Sequence, residues 1–297
     1  MLKYEKSDVE GYMRRRLRLV LTDACNFQCP CCYNEGNRTR NTQREMNCDK
    51  ILLLVSKIKD YVDYVILTGG EPLLYSHFNE LVVGLNNLGV RVQLTTNGSL
   101  LNALVEQPDI LSKISWINVS FDKFDPFSFR YNAKTSETMF KKVVGNIKKL
   151  SQLHSDVTLN TVYDDKISKE DIVKLIDFCE NSKVKTIKFI PLLDIKEDVF
   201  TSHLEGLIKE IDLNTEIVSE NPDFLIKTFR INNVNLAILH QYCNNSCSVC
   251  KQKSFIRINC DNKVYFCRKN PNKMLDLDSL VDLNSVEIIN QLENGFK

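Results

Sequence analysis

Short apolar runs recur along the first two thirds of the chain, and each is four to six residues long. They occupy residues 17–21, 64–67, 92–95, 116–121, 157–162 and 186–190. Their content of branched and aromatic residues is typical of buried β-strands. Between them, apolar residues return every three or four positions, which indicates helices. These helices are predicted within residues 51–58, 78–88, 100–111, 139–153 and 172–179.

This alternation of strand and helix predicts parallel strands that are joined by right-handed crossovers. Six strands are fewer than the eight of a closed barrel. We therefore expect the α/β fold class, in the form of a (βα)6 partial TIM barrel. Its active site should lie at the carboxyl ends of the strands, as it does in complete barrels.

The pattern weakens after residue 193, where one more helix is predicted over residues 200–218. Further on, residues 254–258 and 264–267 have strand composition and flank Asp261-Asn262-Lys263, which predicts a hairpin. The predicted division is a lead-in of residues 1–16, a barrel of residues 17–218 and a small C-terminal cysteine-rich domain of residues 219–297.

Composition narrows the choice of partners. With 297 residues and 43% hydrophobic content, the chain can bury a full core. Lys and Arg number 39 against 38 Asp and Glu, so no overall basic field indicates nucleic acid. The local run Arg14-Arg15-Arg16 is either a solvated face or a site for an anionic substrate. No apolar stretch approaches the roughly 20 residues that span a bilayer, and eleven cysteines fit a reducing cytoplasm.

Three cysteines follow the first predicted strand at C-x3-C-x2-C spacing. Cys25, Cys29 and Cys32 on one short loop can supply three thiolates to an iron–sulfur cluster and leave a fourth iron open to another ligand. A structural zinc site is the alternative, but it normally uses paired C-x2-C groups that close all four positions. Cys31 is interpreted as a small apolar residue that packs beside the cluster.

A second group of cysteines lies near the C-terminus. Cys243, Cys247, Cys250 and Cys267 are predicted to bind metal, with Cys243 as an optional fourth ligand. The predicted hairpin returns Cys267 to the C-x2-C pair and leaves Cys260 at its turn, so Cys260 is not assigned as a ligand. A zinc ribbon would have a similar sequence.

Glycines and polar residues stand at or near the carboxyl ends of the predicted strands. They are Gly69, Gly70, Glu71, Pro72, Thr96, Asn97, Ser120, Asn160 and Lys188. Because these ends share one edge of a barrel, we expect the residues to face one cavity. Gly69 and Gly70 lack Cβ, so the backbone there can approach a ligand or adopt conformations closed to other residues. Ordinary turn chemistry is the alternative for the glycines, and a structural hydrogen bond is the alternative for Asn160 and Lys188.

Four motifs now stand in one order along the chain: the cysteine loop, Thr68-Gly69-Gly70-Glu71-Pro72, Thr95-Thr96-Asn97-Gly98 and Asn118-Val119-Ser120-Phe121-Asp122. In this order the chain resembles the radical S-adenosylmethionine (SAM) superfamily. Cys31 is a departure, because the family often has an aromatic residue before the last cysteine. The resemblance implies that the Gly-Gly turn and Glu71 bind the amino group of SAM, while Ser120 and Asn97 contact its carboxylate or ribose.

The resemblance also implies an activity. Such an enzyme reductively cleaves SAM to methionine and a 5′-deoxyadenosyl radical, which takes hydrogen from a C–H bond of the substrate. It implies two [4Fe–4S] clusters, the second an auxiliary cluster on the C-terminal cysteines, and an electron donor of the flavodoxin or ferredoxin type. The favoured substrate is a small molecule such as a nucleotide or sugar. Maturation of a ribosomally made peptide and a non-enzymatic metal-binding module are the alternatives.

Within this superfamily, the pattern is similar to the enzymes of molybdenum-cofactor biosynthesis that cyclise GTP. Ile66 and Thr158 stand where that family has basic residues, and its arginine-rich strand near the C-terminus is reduced to Lys251, Lys253 and Arg257. A triphosphate needs several cations in a pocket with little water. We therefore expect a small-molecule substrate other than GTP.

Overall fold

The fold is described from a computed structural model. It covers residues 15–32, 44–164, 166–192, 197–213, 215–221, 226–239, 255–267, 270 and 272–296. Cys243, Cys247 and Cys250 lie outside the described residues. None of the described helices is long and apolar enough to cross a membrane.

Six parallel strands form the centre of the structure, each paired with its successor in the chain. They are β1 (Arg15–Val20), β2 (Val62–Thr68), β3 (Arg91–Thr96), β4 (Trp116–Ser120), β5 (Val157–Tyr163) and β6 (Thr186–Pro191). The prediction of six alternating parallel strands is therefore confirmed. The ends of this sheet do not pair with each other in the described part of the chain, so the barrel is partial.

Helices connect these strands. They are α1 (Cys48–Ile58), α2 (Phe78–Asn87), α3 (Leu101–Val105), α4 (Pro108–Leu111), α5 (Pro126–Ala133), α6 (Glu137–Leu153), α7 (Lys169–Ser182) and α8 (Glu197–Ile211), with short 3-10 helices at Lys59–Tyr61 and Pro72–Leu74. The single helix predicted over residues 100–111 is wrong. Pro108 lacks an N–H group and holds Gln107 outside helical geometry, so the chain breaks into α3 and α4.

The sheet continues beyond the six central strands on both sides. On one side β6 pairs in parallel with β9 (Val234–Leu239), followed by β8 (Ile226–Ile231) and β7 (Glu216–Asn221). The predicted helix over residues 200–218 is therefore too long, since α8 ends at Ile211 and a strand begins at Glu216. The predicted domain boundary after residue 218 falls inside β7.

On the other side, β1 pairs in parallel with β10 (Ile256–Asn259), followed by β11 (Lys263–Tyr265) and β12 (Met274–Asp276). The antiparallel pairing of β10 with β11 confirms the predicted hairpin. Two further helices, α9 (Leu277–Val281) and α10 (Ser285–Gly295), complete this end of the described chain.

The two faces of the central strands differ in polarity. On the outer face Leu17, Leu19, Val65 and Leu67 are completely buried in the core that the helices cover. Alternate residues point to the opposite side, which we call the inner face. Its polar members on β1, β3–β6 and β10 are Arg16, Arg18, Arg91, Gln93, Thr95, Asn118, Ser120, Thr158, Asn160, Thr186, Lys188, Arg257 and Asn259. Fully buried parallel sheets are usually apolar on both faces, so this polarity distinguishes the inner face from the apolar outer face.

A buried ion pair attaches α10 to the start of the barrel. The Arg15 guanidinium donates two hydrogen bonds of 2.9 Å to the Glu293 carboxylate, and the Tyr61 hydroxyl donates a third. The guanidinium also lies 4.6 Å from the ring centroid of Phe296. Arg15 is only 8% exposed, so its charge depends on Glu293 for compensation.

We expect Glu293→Ala to lower the free energy of unfolding by about 3–5 kcal/mol, because it leaves a buried guanidinium without its counter-charge. Urea unfolding followed by circular dichroism measures this change. The matched control is Lys50→Ala, which removes the more exposed bridge from Lys50 to Asp278 and should cost less than about 1 kcal/mol. Equal effects of the two substitutions would contradict the assignment.

Candidate active site

The cysteine loop follows β1 and runs alongside the turn that follows β2. Beyond the strands, the Leu21 N–H donates to the Thr68 carbonyl, and the Gly70 N–H donates to the Thr22 carbonyl, both at 2.8 Å. The Glu71 N–H then donates to the Ala24 carbonyl at 2.8 Å. This backbone pairing places the Gly-Gly turn against the residue that precedes Cys25.

Close backbone packing explains both glycines of the turn. A Cβ on Gly69 would lie 2.7 Å from the Thr22 carbonyl oxygen, and one on Gly70 would lie 2.2 Å from the Ala24 carbonyl oxygen. Neither residue has a left-handed φ, so neither uses the conformational freedom of glycine in that region. The space that a side chain would fill is occupied by the cysteine loop itself. In this structure the glycines position the loop.

The Glu71 carboxylate is completely buried and engaged with protein donors. Oε1 accepts hydrogen bonds from the Thr96 hydroxyl at 2.7 Å and the Leu73 N–H at 3.2 Å, and Oε2 accepts one from the Asn97 N–H at 2.8 Å. Burial raises the pKa of Glu71 to about 7, although these hydrogen bonds favour its ionised form. Glu71 therefore joins the end of β2 to the end of β3.

A ring of side-chain hydrogen bonds connects the cysteine loop to the end of β3. The Asn97 amide donates to Asn26 Oδ1 at 2.8 Å, and the Asn26 amide donates to the Ser99 hydroxyl at 2.8 Å. The Ser99 hydroxyl closes the ring by donating to Asn97 Oδ1 at 2.6 Å. Sequence reasoning missed Asn26 and Ser99. Only their positions in the sequence could have indicated a role, since Asn26 directly follows Cys25 and Ser99 follows the Thr96-Asn97-Gly98 motif.

The thiols of the loop are partly buried and influence one another. Burial, followed by the neighbouring Cys31, raises the pKa of Cys29, and Cys25 and Cys32 contribute in the same direction. Burial raises the pKa of Cys25 to about 11. Its sulfur accepts a 3.4 Å hydrogen bond from the Phe27 N–H and lies 4.0 Å from the Asn97 amide nitrogen. Such donors are a normal feature of cluster-binding thiolates.

The donor set fits an iron–sulfur cluster. In the described part of the chain, no three Cys, His, Asp or Glu side chains meet at the distances of one shared metal ion. A cubane cluster instead takes one cysteine sulfur on each of its irons, and the loop offers three such thiols with a hydrogen-bond donor at Cys25.

A small cavity of about 40 Å³ brings several predicted residues together. Cys29, Asn97 and Ser120 line it, together with Asp122. Asp122 is partly buried, and this burial raises its pKa to about 6, while its Oδ1 accepts a hydrogen bond of 2.9 Å from the Val162 N–H. Of the residues expected to face one cavity, Cys29, Asn97 and Ser120 line this one, and the other predicted residues do not.

Asn160 and Lys188 lie next to Ser120 on the inner face. Ser120 is in register with Asn160, and Asn160 is in register with Lys188. Asn160 Oδ1 is buried and has no hydrogen-bond partner among the described residues. Burial lowers the pKa of Lys188 to about 8, and repulsion from Arg16 and Arg18 adds to this shift.

The inner face is strongly cationic. Arg18 lies beside Arg257 in the register of β1 with β10, and both Arg16 and Arg18 act electrostatically on Lys188 across the barrel. Arg16 is 6% exposed, with its guanidinium 4.4 Å from the ring centroid of Phe255. On this face of β1 to β6 and β10, all of which are described, there is no Asp or Glu. Of the described residues of the basic run, Arg16 therefore lies on the inner face, together with the nearby Arg18, whereas Arg15 pairs with Glu293.

The two described C-terminal cysteines lie at opposite ends of the hairpin. Cys260 is in the turn after β10, whereas Cys267 follows the antiparallel β11. Burial, followed by the charge of Asp23, raises the pKa of Cys260 to about 11, which places this thiol near the cysteine loop. The ligand set Cys243, Cys247, Cys250 and Cys267 stays a prediction, because its first three members lie outside the described residues.

Comparison with known proteins agrees with this geometry. Residues 19–179 match the family described as the radical SAM superfamily. The chain is 28% identical to a "Probable GTP 3',8-cyclase" of Sulfolobus acidocaldarius, over 92% of this chain and 87% of the relative. It is 30% identical to a protein of the same name from Saccharolobus islandicus, over 88% of this chain and 85% of the relative.

Solved structures share the fold at low identity. Streptococcus suis SuiB bound to S-adenosylmethionine has a TM-score of 0.66 and 18% identity, covering 86% of this chain and 60% of SuiB. The enzyme anSMEcpe with bound AdoMet has a TM-score of 0.61 and 16% identity, covering 92% of this chain and 79% of that protein. The chain therefore belongs to the radical SAM superfamily and is an enzyme, and its family implies a [4Fe–4S] cluster and SAM as cofactors.

Proposed function

We propose that this enzyme generates a radical from SAM and uses it to take hydrogen from an anionic small molecule bound on the inner face. The observation that supports the substrate class is the convergence of Arg16, Arg18, Lys188 and Arg257 on a face without acidic residues. A nucleotide or sugar phosphate has the matching chemistry, because guanidinium groups bind phosphate oxygens in pairs.

In this proposal Cys25, Cys29 and Cys32 hold the cluster, and Cys31 packs beside it. Reduced cluster and SAM together supply a 5′-deoxyadenosyl radical. The protein's own residues position the reactants. Asn97 and Ser120 face the cavity beside Cys29, which supports contacts with the polar groups of SAM.

The remaining predicted cofactor residues fall into two groups. Asn160 presents an unpartnered buried oxygen next to Ser120, which supports direct contact with a ligand donor. Gly69, Gly70, Pro72, Glu71 and Thr96 act chiefly by holding the cysteine loop and Asn97 in place.

Electrostatics favours an anion on the inner face. Lys188 is partly buried and repelled by two guanidinium groups, so the pKa of its ammonium group falls to about 8. A bound phosphate or carboxylate would relieve both effects at once. The curated relatives are named for GTP. Ile66 and Thr158, which replace basic residues of that family, argued against GTP, but Arg16, Arg18 and Lys188 supply other cations on this face. GTP is accordingly the first compound to test, although we expected another substrate.

We further propose a second [4Fe–4S] cluster on Cys247, Cys250 and Cys267, with Cys243 as fourth ligand. The hairpin supports this, because it carries Cys267 back along β10 towards Ile256, and Ile256 follows Cys250 by only a few residues in the sequence. An external carrier of the flavodoxin or ferredoxin type supplies the electron.

A peptide substrate would have to provide the same negative charge as a phosphate. The likeness to SuiB supports only the fold.

The two cysteine groups predict the iron content. Anaerobically reconstituted protein should contain about eight irons per chain, and replacing Cys25, Cys29 and Cys32 together by Ala should leave about four. Iron analysis and electron paramagnetic resonance measure both values. A wild type with four irons, all retained after the triple replacement, would exclude the assignment of the first cluster.

Gly70→Ala tests the role of the turn. Its Cβ would clash with the Ala24 carbonyl, so the cysteine loop must move and reconstituted iron should fall by about half. Gly145→Ala is the control, because a Cβ there meets nothing within 4 Å. If Gly70→Ala kept full iron but lost SAM cleavage, the turn would act on SAM directly and not through the loop.

Lys188 predicts a pH dependence for anion binding. Its ammonium form is present below pH of about 8 and lost above it, so affinity for GTP or tripolyphosphate should fall as pH rises through 8. Lys188→Met should weaken binding about tenfold or more at pH 7, because a charged hydrogen bond is lost. Lys188→Arg should bind without this pH dependence.

Isothermal titration calorimetry measures this affinity between about pH 6.5 and about pH 9. Roughly three pH values on each side of the pKa of Lys188 suffice to show the transition. The matched control is Lys185→Met, which removes an exposed lysine just before β6. Equal losses from Lys185→Met and Lys188→Met would show that binding follows overall charge and not the inner face.

A further inference from the structure

Helix α5 carries an exposed stripe that is both aromatic and cationic. Phe127 is 78% exposed and Tyr131 is 74% exposed, one helical turn apart. Arg130 is exposed beside them, and these three positions are spaced as i, i+3 and i+4, so they share one side of the helix. Lys134 is also exposed and follows as the left-handed cap at the C-terminal end of α5. We call these four residues the α5 face.

The opposite side of α5 contacts the cysteine loop. The Phe129 ring packs edge-on against Phe27 of the loop, with the centroids 6.0 Å apart. The Ala133 carbonyl accepts a 3.2 Å hydrogen bond from the Gln28 N–H, and Ala133 lines the same cavity as Cys29. The α5 face is therefore separated from the cluster-binding loop by about one helix diameter, roughly 10 Å.

The charge of the α5 face is uncompensated within the described part of the chain. Arg130 and Lys134 form no ion pair there, in contrast to Lys141 on α6, which pairs with Glu137 at 2.9 Å. Arg130 influences Glu137 electrostatically, but that carboxylate already has Lys141 as its partner. The chain as a whole has a net charge of only +1, so this positive patch is a local feature.

We propose that the α5 face docks an acidic one-electron carrier protein that reduces the cluster. The inference rests on the proposed function and gives its electron donor a binding site. One electron leaves the carrier and one enters the oxidised [4Fe–4S]2+ cluster to give [4Fe–4S]+, with no proton or atom exchanged.

The chemistry of the patch fits this partner in two ways. Exposed positive charge steers an acidic protein and speeds encounter, while two adjacent rings supply an anchor for the small interface that transient electron-transfer partners form. The site also leaves the inner face free, because α5 lies on the helix-covered side of the sheet. A carrier bound at α5 and a substrate bound on the inner face would not compete.

Two double variants test the proposal on the reconstituted full chain. One reverses the charge, with Arg130→Glu and Lys134→Glu, and the other removes the rings, with Phe127→Ser and Tyr131→Ser. The matched control is Lys148→Glu with Lys149→Glu, which makes the same charge change on exposed residues near the C-terminal end of α6, at the opposite edge of the barrel.

Flavodoxin is the first probe and a plant-type ferredoxin is the second. Biolayer interferometry at several salt concentrations measures affinity, and stopped-flow absorbance measures the rate of cluster reduction. We expect both α5 variants to weaken carrier binding about tenfold or more, and the charge-reversed protein to lose the salt dependence. The control should stay within about twofold, since its charges are remote.

Dithionite separates the docking proposal from the proposed function. It is a small reductant that needs no docking surface, so dithionite-driven formation of 5′-deoxyadenosine should be equal in the wild type and both α5 variants. No 5′-deoxyadenosine from the wild type with dithionite would overturn the proposed function, whatever the carrier binding shows. Unchanged carrier affinity in both α5 variants would overturn the docking site alone. So would a dimer of this chain in sedimentation experiments that dissociates on Phe127→Ser with Tyr131→Ser.

Discussion

Backbone hydrogen bonds between the cysteine loop and the turn after β2 constrain the whole cluster site. Gly70 and Glu71 donate to carbonyls of the loop, and the pairing is so close that neither Gly69 nor Gly70 can carry a Cβ. The loop therefore has one position relative to the barrel edge. Glu71 extends the constraint to β3 by binding Thr96 and the Asn97 backbone. The thiols are held by backbone geometry before any iron arrives.

Much of this could be predicted from local sequence patterns. The parallel strands and the C-terminal hairpin are short apolar runs bounded by turn residues, and each was located to within a few residues. The cysteine spacing is equally local. The prediction of one helix over residues 100–111 failed because a single residue interrupts a regular pattern. The apolar periodicity continues through Pro108, where the helix must break. Helix α5 was missed because its outward face carries Phe127 and Tyr131, which blur the expected apolar stripe.

The candidate site was less accessible to sequence reasoning, because its key relations are non-local. Lys188 and Arg18 are far apart in the chain, and only the folding of the strands into one sheet brings their charges within electrostatic range of each other. The basic run near the N-terminus was open to two interpretations, and the period of β1 shows that Arg16, like Arg18, lies on the inner face and not on a solvated outer surface. Likewise, no sequence pattern predicts the hydrogen-bonded ring of Asn26, Asn97 and Ser99. Only the position of these residues in or next to the motifs indicates them.

A buried cluster of like charges costs free energy in the absence of a ligand, and the apolar outer face must offset that cost. Completely buried residues such as Leu17 and Leu19 alternate with Arg16 and Arg18 on the same strand. The packing that fixes the outer residues also fixes the direction of the cations between them. Their donors are thus oriented before an anion binds, so less free energy is spent on ordering them during binding. The same strand that delivers the cysteine loop at its carboxyl end thereby also builds part of the inner face, and under the proposed function this would couple the position of the cluster to the position of the anion.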